Sequence, residues 1–157
     1  MVDIEAFYDS HVDKIYNFCL YRTGNRFVAE DLASSTFLKF FKAKWKQVDN
    51  PKAYLYSICR NVIADHFRSS KSDFSLDTLL EEGQDFGATE DHEKRLLYSQ
   101  AISEIQKLPE DQKEVILMQY VEDLDNKTIA QSLGKTESAV KSLAHRGLTT
   151  LRDKMNR

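Results

Sequence analysis

Proline and glycine are scarce in this 157-residue chain, at 2 and 5 residues. That scarcity, with 41% apolar and 30% charged residues, argues against a turn-rich β protein and for a mostly helical one. Cysteine is scarcer than any disulfide framework or zinc cluster requires. Cys19 and Cys59 stand far apart with no C-x-x-C spacing, and both read as small core residues. Long apolar runs are absent too: Val115-Ile116-Leu117-Met118 is far too short to span a bilayer, and the N-terminus carries no signal-peptide pattern. The expectation is a cytoplasmic chain without membrane insertion. His11 and His66 fall on otherwise apolar faces, where a satisfied core histidine is the ordinary outcome, so no metal is assigned. A Gly-rich phosphate loop and a nucleophile motif are also missing, which argues against an enzyme and leaves no cofactor to assign.

A net charge of −3 hides strong segregation along the chain. Residues 39–71 hold eight lysines and arginines against two acids, and residues 135–157 hold six against two. Residues 72–95 reverse the sign, with eight acids against two bases. Two basic patches separated by an acidic stretch suit a nucleic-acid binder better than the total suggests.

Apolar periodicity outlines the elements. Ile4, Phe7, Tyr8, His11, Ile15, Phe18, Cys19 and Arg22 share one helix face that ends at Thr23-Gly24-Asn25. A second helix is predicted from about Phe27 to Trp45, with Ala33, Phe37, Phe40, Phe41 and Trp45 on its apolar stripe. Asn50-Pro51 starts a third, reaching about Ser69, with Leu55, Ile58, Cys59, Val62, His66 and Phe67 facing inward. Three helices can thus close one core over residues 1–70. Periodicity fades over 71–89, read as an acidic flexible linker. It resumes near Glu90 with Leu97, Ala101, Ile105 and Leu108 inward, and Pro109 opens a further helix through Tyr120. The fold class is therefore all-α: two small helical domains joined by an acidic linker, the second of four helices over residues 90–157.

Residues 126–145 fit a helix-turn-helix. Ile129 and Leu133 suit the core, Ala130 permits close helix packing, Gly134 suits the turn, and Val140 and Leu143 anchor the second helix. Asp125 or Asn126 can cap the first helix and Thr136 the second. Thr136, Glu137, Ser138, Lys141, Ser142, His145 and Arg146 remain as candidates for duplex DNA, with Arg146 the best placed by chemistry for a bidentate guanine contact. The N-terminal patch differs, because its lysines alternate with aromatic rings. Rings stack on unpaired bases while cations track the backbone, so this composition suits single-stranded DNA. Phe37, Phe40 and Phe41 read as core, while Trp45 and Tyr56 stand open between core and base-stacking roles.

Three stretches resemble the extracytoplasmic-function branch of the sigma-70 family, across nearly the whole chain. Ala29-Glu30-Asp31-Leu32-Ala33-Ser34-Ser35-Thr36-Phe37 is similar to the family's polymerase-binding segment, with Ser34 and Ser35 in place of the usual glutamine and acid. The resemblance implies polymerase contacts from Asp31, Leu32, Ser34 and Phe37. Asn50 through Asn61 resembles the promoter-melting helix, with Tyr54 where the family has tryptophan. That likeness implies −10 contacts from the loop Lys44 to Asn50 and from Tyr56, Arg60, Asn61 and Asp65. Trp45, Lys46, Lys52 and Arg68 join that candidate surface. Leu108-Pro109 through Lys141-Ser142 is similar to the −35-reading region, with Leu143 and Leu148 where arginine is frequent. The resemblance implies a transcription initiation factor whose partners are core RNA polymerase and promoter DNA, and it admits an anti-sigma factor. A helix-turn-helix repressor or activator that never joins polymerase, and a sigma-like decoy, are the competing readings.

Overall fold

The computed structural model describes residues 3–69, 74–82 and 91–156, and every regular element among them is helical. Helix α1 spans Ile4–Thr23 and α2 spans Arg26–Lys42. A 3₁₀ turn follows at Trp45–Gln47, then α3 at Pro51–Ser69. Helix α4 covers Leu76–Glu82, α5 His92–Gln106 and α6 Glu110–Ile116, which runs on into a π-helical turn at Leu117–Val121. Helices α7, Asn126–Leu133, and α8, Glu137–Met155, complete the chain.

The ends of these helices follow from their capping residues. Gly24 takes the left-handed conformation (φ 61°) that closes α1, its N–H bonding to the Leu20 carbonyl at 2.7 Å, and the Asn25 side chain accepts from the Val28 N–H to open α2. Asn50 caps α3 through Oδ1, which accepts the Ala53 N–H at 3.1 Å, while Pro51 begins the helix without a lost hydrogen bond. The second helix stops at Lys42, short of the expected Trp45. The tryptophan instead turns back in the 3₁₀ segment and joins a ring cluster, 5.3 Å from Phe7, 5.1 Å from Phe40 and 5.7 Å from Phe41. This cluster, with Ile15, Phe18, Leu55 and Ile63, fills the space between α1, α2 and α3.

Helices α5 to α8, with the turn after α6, add Ile102, Ile105, Leu108, Val115, Met118, Ile129, Val140 and Leu151 to the buried apolar cluster. Four residues expected on apolar helix faces lie outside: Ile4, Tyr8, Phe67 and Leu97 are exposed. Phe67 sits near the end of α3, where the Arg22 guanidinium lies 5.8 Å from its ring.

The expected flexible linker over 71–89 needs correction where it is described. Phe74 and Ser75 are laid against Gly24, with the Ser75 N–H donating to the Gly24 carbonyl at 3.2 Å, and α4 buries Leu79 and Leu80. These apolar residues, read as weak anchors, hold this part of the segment onto the fold. Residues 71–73 and 83–89 of that stretch lie outside the described residues.

Cys19 and Cys59 face each other across α1 and α3 with their sulfurs 3.5 Å apart, both buried as free thiols. The hydrogen bond with Cys59, followed by burial, holds the Cys19 thiol well above its usual range and disfavours the thiolate. Ellman's reagent is therefore expected to titrate neither thiol in the native chain within minutes and both in denaturant; rapid native reaction would show that this core opens readily. His11, likewise, is a satisfied half-buried histidine. Its Nδ1–H donates to the Phe7 carbonyl at 2.8 Å, and its ring stacks on Phe7 at 4.2 Å. Burial is the main cause of its lowered pKa, aided by Lys52 and Lys14.

Candidate nucleic-acid interface

Helices α7 and α8 meet at a tight turn whose Gly134 has φ 65°. Asp125 caps α7, its carboxylate accepting the Thr128 N–H at 2.8 Å. The Thr128 side chain and backbone N–H hold its pKa below the usual carboxylate range. Thr136 caps α8 by accepting the Ala139 N–H at 3.1 Å. Val140, Ala144, Gly147 and Leu151 are buried along one stripe of α8, so its opposite face must look outward. That outward face carries every residue expected to meet duplex DNA: Thr136, Glu137, Ser138, Lys141, Ser142, His145 and Arg146 are all exposed. A shallow depression of about 640 Å³ runs beside them, lined by Gly134, Lys135, Thr136, Ala139, Ser142, Leu143 and Arg146. The helix is thus held by its apolar stripe and offers hydroxyls, cations and an imidazole along its free side, the equipment needed to enter a major groove.

The residues expected at the −10 element are less uniformly placed. Lys44, Lys46, Asn61, Asp65 and Arg68 are exposed, and Lys52 is half-buried. Asp65 and Arg68 form an exposed ion pair at 2.8 Å. Lys46 lies 5.7 Å from the Trp45 ring, but the ring itself is buried, so Trp45 belongs to the core rather than to a stacking platform. Tyr56, left open between core and base stacking and given a −10 contact by the resemblance, is fully buried as well. Its hydroxyl donates to Glu122 Oε2 at 3.0 Å, and burial, with the Glu122 carboxylate next, pushes the phenol far up and keeps it protonated. Arg60 is engaged through Nε by Glu114. Beside these, Val48, Asp49, Asn50, Ala53, Tyr54 and Ser57 line a small cleft of about 210 Å³, and its remaining wall is Gln131 from α7.

On α2, Asp31 and Ser34 are exposed, whereas Leu32 and Phe37 point into the core. Leu32 and Phe37 therefore shape this face from behind. The exposed residues Phe27, Glu30 and Leu38, which sequence reasoning did not single out, share it with Asp31 and Ser34.

Sequence reasoning also missed Glu114, Glu122 and Gln131, which sit among apolar or polar neighbours with no motif of their own. Their significance emerges only when the second bundle packs on α3. Among the described residues no helix is long and apolar enough to cross a membrane.

Two family models match the chain, Sigma-70 region 2 over residues 7–72 and Sigma-70 region 4 over residues 99–151. Among curated proteins, the chain is 31% identical to the ECF RNA polymerase sigma factor SigW of Bacillus subtilis, over 94% of this chain and 86% of that protein. It is also 31% identical to the ECF RNA polymerase sigma factor BldN of Streptomyces coelicolor, covering 92% of this chain but 57% of BldN's length. Its fold resembles that of CnrH in complex with the cytosolic domain of CnrY, with a TM-score of 0.71 at 17% identity, covering 98% of this chain and 87% of that one. The sigma factor RpoE of Bartonella quintana, solved with the anti-sigma factor NepR, gives a TM-score of 0.69 at 16% identity, covering 95% and 94%. With both sigma regions matched in order and 31% identity to SigW across most of both chains, the chain belongs to the extracytoplasmic-function family of RNA polymerase sigma factors.

Proposed function

We propose that this chain binds core RNA polymerase in the cytoplasm and directs it to promoters by reading −35 duplex DNA with α8 and unpaired −10 bases with α3 and the loop before it. The observation that carries the reading is the face of α8, where all seven residues expected at the −35 element are exposed together behind a well-capped, well-packed helix-turn-helix. The exposed cations Lys44, Lys46 and Arg68 supply the electrostatic part of −10 capture, and Asn61 and Asp65 add polar groups that can meet base edges. Polymerase binding is assigned to the exposed side of α2, through Asp31 and Ser34 with Phe27 and Leu38 as apolar flanks. No chemistry by the chain itself is required. Capturing an unstacked base offsets the few kcal/mol, roughly, that its extrusion costs.

Reconstitution with core polymerase tests this reading on a genomic promoter library. Promoter-specific transcripts that depend on the added chain are expected. Failure to co-purify with core would overturn it. Specific duplex binding with no core association would point to a repressor or activator, and core binding without transcripts to a decoy or anti-sigma sink.

A further inference from the structure

The surface assigned to melted DNA is built from α3 and the loop before it, but its cationic character does not end there. The ring cluster carries it across to α1. Lys46 lies 5.7 Å from the Trp45 ring, Trp45 lies 5.3 Å from Phe7, and the Phe7 ring stacks on His11 at 4.2 Å, so three contacts lead from the loop to the half-buried imidazole. One turn along α1 from His11 stands Lys14, which is exposed. Lys52 of α3 acts on the same imidazole from the neighbouring helix, and Lys52 already belongs to the −10 surface. His11, Lys14 and Lys52 therefore bring two cations and a titratable ring from two helices to one place.

The acids near this group are turned to other tasks. Lys14 Nζ donates to the Glu122 carbonyl oxygen at 3.4 Å, while the carboxylate of Glu122 accepts the Tyr56 hydroxyl. Asp125 of α7 senses Lys52, but its carboxylate accepts the Thr128 N–H as the cap of its helix. On α1 itself, Asp9 and Asp13 stand two residues to either side of His11 and so point away from it, Asp13 into the cleft shared with α2. Among the described residues neither Lys14 nor Lys52 closes an ion pair. Burial and the two lysines hold the imidazole toward its neutral form, so in the free chain the grouping is one of mutual repulsion. An anion laid across it would turn each of these interactions favourable. The ring is poised for that: Nδ1–H already donates to the Phe7 carbonyl, so a second proton must enter at Nε2, which then becomes a charged donor.

We propose that α1 forms a second wall of the single-strand path, where Lys14 and His11, beside Lys52, hold phosphates of the melted strand next to the segment gripped by the loop. A single-strand groove covers roughly 4 or more nucleotides, so an anchor three contacts from Lys46 falls within its reach. Arriving phosphates favour the imidazolium, and His11 takes up a proton as the strand is seated, which makes capture tighter as pH falls.

The inference rests on the −10 reading, and the experiment separates the two. Holoenzyme made with the full chain is titrated with a forked duplex whose single-stranded −10 segment is randomised, and core polymerase alone supplies the background. Lys14→Ala should lose one phosphate contact, so that raising salt from about 50 to about 200 mM weakens it about two- to threefold less than the parent. Parent binding should tighten from about pH 8 to about pH 6, by about tenfold for each unit that DNA raises the His11 pKa. His11→Gln, whose amide can still donate to the Phe7 carbonyl, should flatten that profile. Lys107→Ala removes an equal charge beside Glu104 on the other bundle and should follow the parent in both measurements. A salt slope for Lys14→Ala or a pH profile for His11→Gln indistinguishable from the parent's, while Lys52→Ala weakens binding, would overturn the α1 wall and leave the −10 reading standing. If Lys44→Ala and Lys52→Ala also bind like the parent, the −10 reading falls, and this inference with it.

Discussion

Replacing Gly24 by alanine is expected to lower the unfolding free energy by about 2–4 kcal/mol, well beyond the cost of an ordinary helix-end glycine. Two contributions add. The residue has φ 61°, a conformation that costs an L side chain roughly 1–2 kcal/mol. A Cβ there would also stand 2.6 Å from the Ser75 backbone nitrogen and 2.7 Å from the Phe74 ring, so residues 74 and 75 would have to lift away. Lifting them breaks the Ser75 N–H bond to the Gly24 carbonyl and loosens the docking of α4 behind it. The second helix-ending glycine provides the control. Gly134 has nearly the same φ, 65°, but nothing within 4 Å of its would-be Cβ, so Gly134→Ala should lose only the backbone part, about 1–2 kcal/mol. Denaturant midpoints of the two variants, measured side by side, isolate the docking of residues 74 and 75. Equal losses would mean that this segment contributes nothing to stability.

That contrast also marks where the sequence was legible. Thr23-Gly24-Asn25 announces the end of one helix and the start of the next because its constraints are local: a left-handed residue, then a side chain that caps. The same holds for Asn50-Pro51, for Asp125 and Thr136, and for the apolar stripes of α7 and α8. What Gly24 packs against is not local. Phe74 lies fifty residues away in a segment whose acidic composition conceals two buried leucines, so a flexible linker was the natural reading of it.

The fate of the −10 candidates was hidden for a similar reason. Periodicity tells which side of α3 faces its own bundle, and by that criterion Tyr56 and Arg60 are on or near the free side. A second bundle then covers that side, and whether it does so depends on carboxylates in α6 that look in sequence like any solvated acids. Charge segregation along the chain gave no such hint, since its acidic stretch is 72–95 and the carboxylates that meet α3, Glu114 and Glu122, lie beyond it. It could not say which pairs would meet. The α8 face was easier to read because only its inner side is constrained by packing, and everything outside that stripe stays free.

Arg146→Ala is expected to weaken holoenzyme binding by about 1–3 kcal/mol, roughly 5- to 150-fold, at one or two −35 base pairs and little elsewhere. The argument is geometric first. Arg146 is exposed on the same face as Lys141, Ser142 and His145, and it borders the depression that begins at Gly134 and Thr136. Its backbone position is fixed by Ala144 and Gly147, both buried, and Gly147 leaves so little room that a Cβ there would come within 3.0 Å of Ile116. A guanidinium projected from so fixed a helix loses little further freedom on meeting the paired acceptors of a guanine edge, which is what makes a bidentate contact discriminating. Lys141→Ala provides the comparison, because an ammonium is a point charge that serves phosphates equally well at any sequence. Its loss should weaken binding more evenly across promoters and reduce the salt dependence by about one phosphate contact. Binding of the holoenzyme to a set of single-base −35 variants, at two salt concentrations, reads both effects. A uniform loss for Arg146→Ala would reassign it to the phosphate backbone and leave Ser142 and His145 as the base-reading groups of α8.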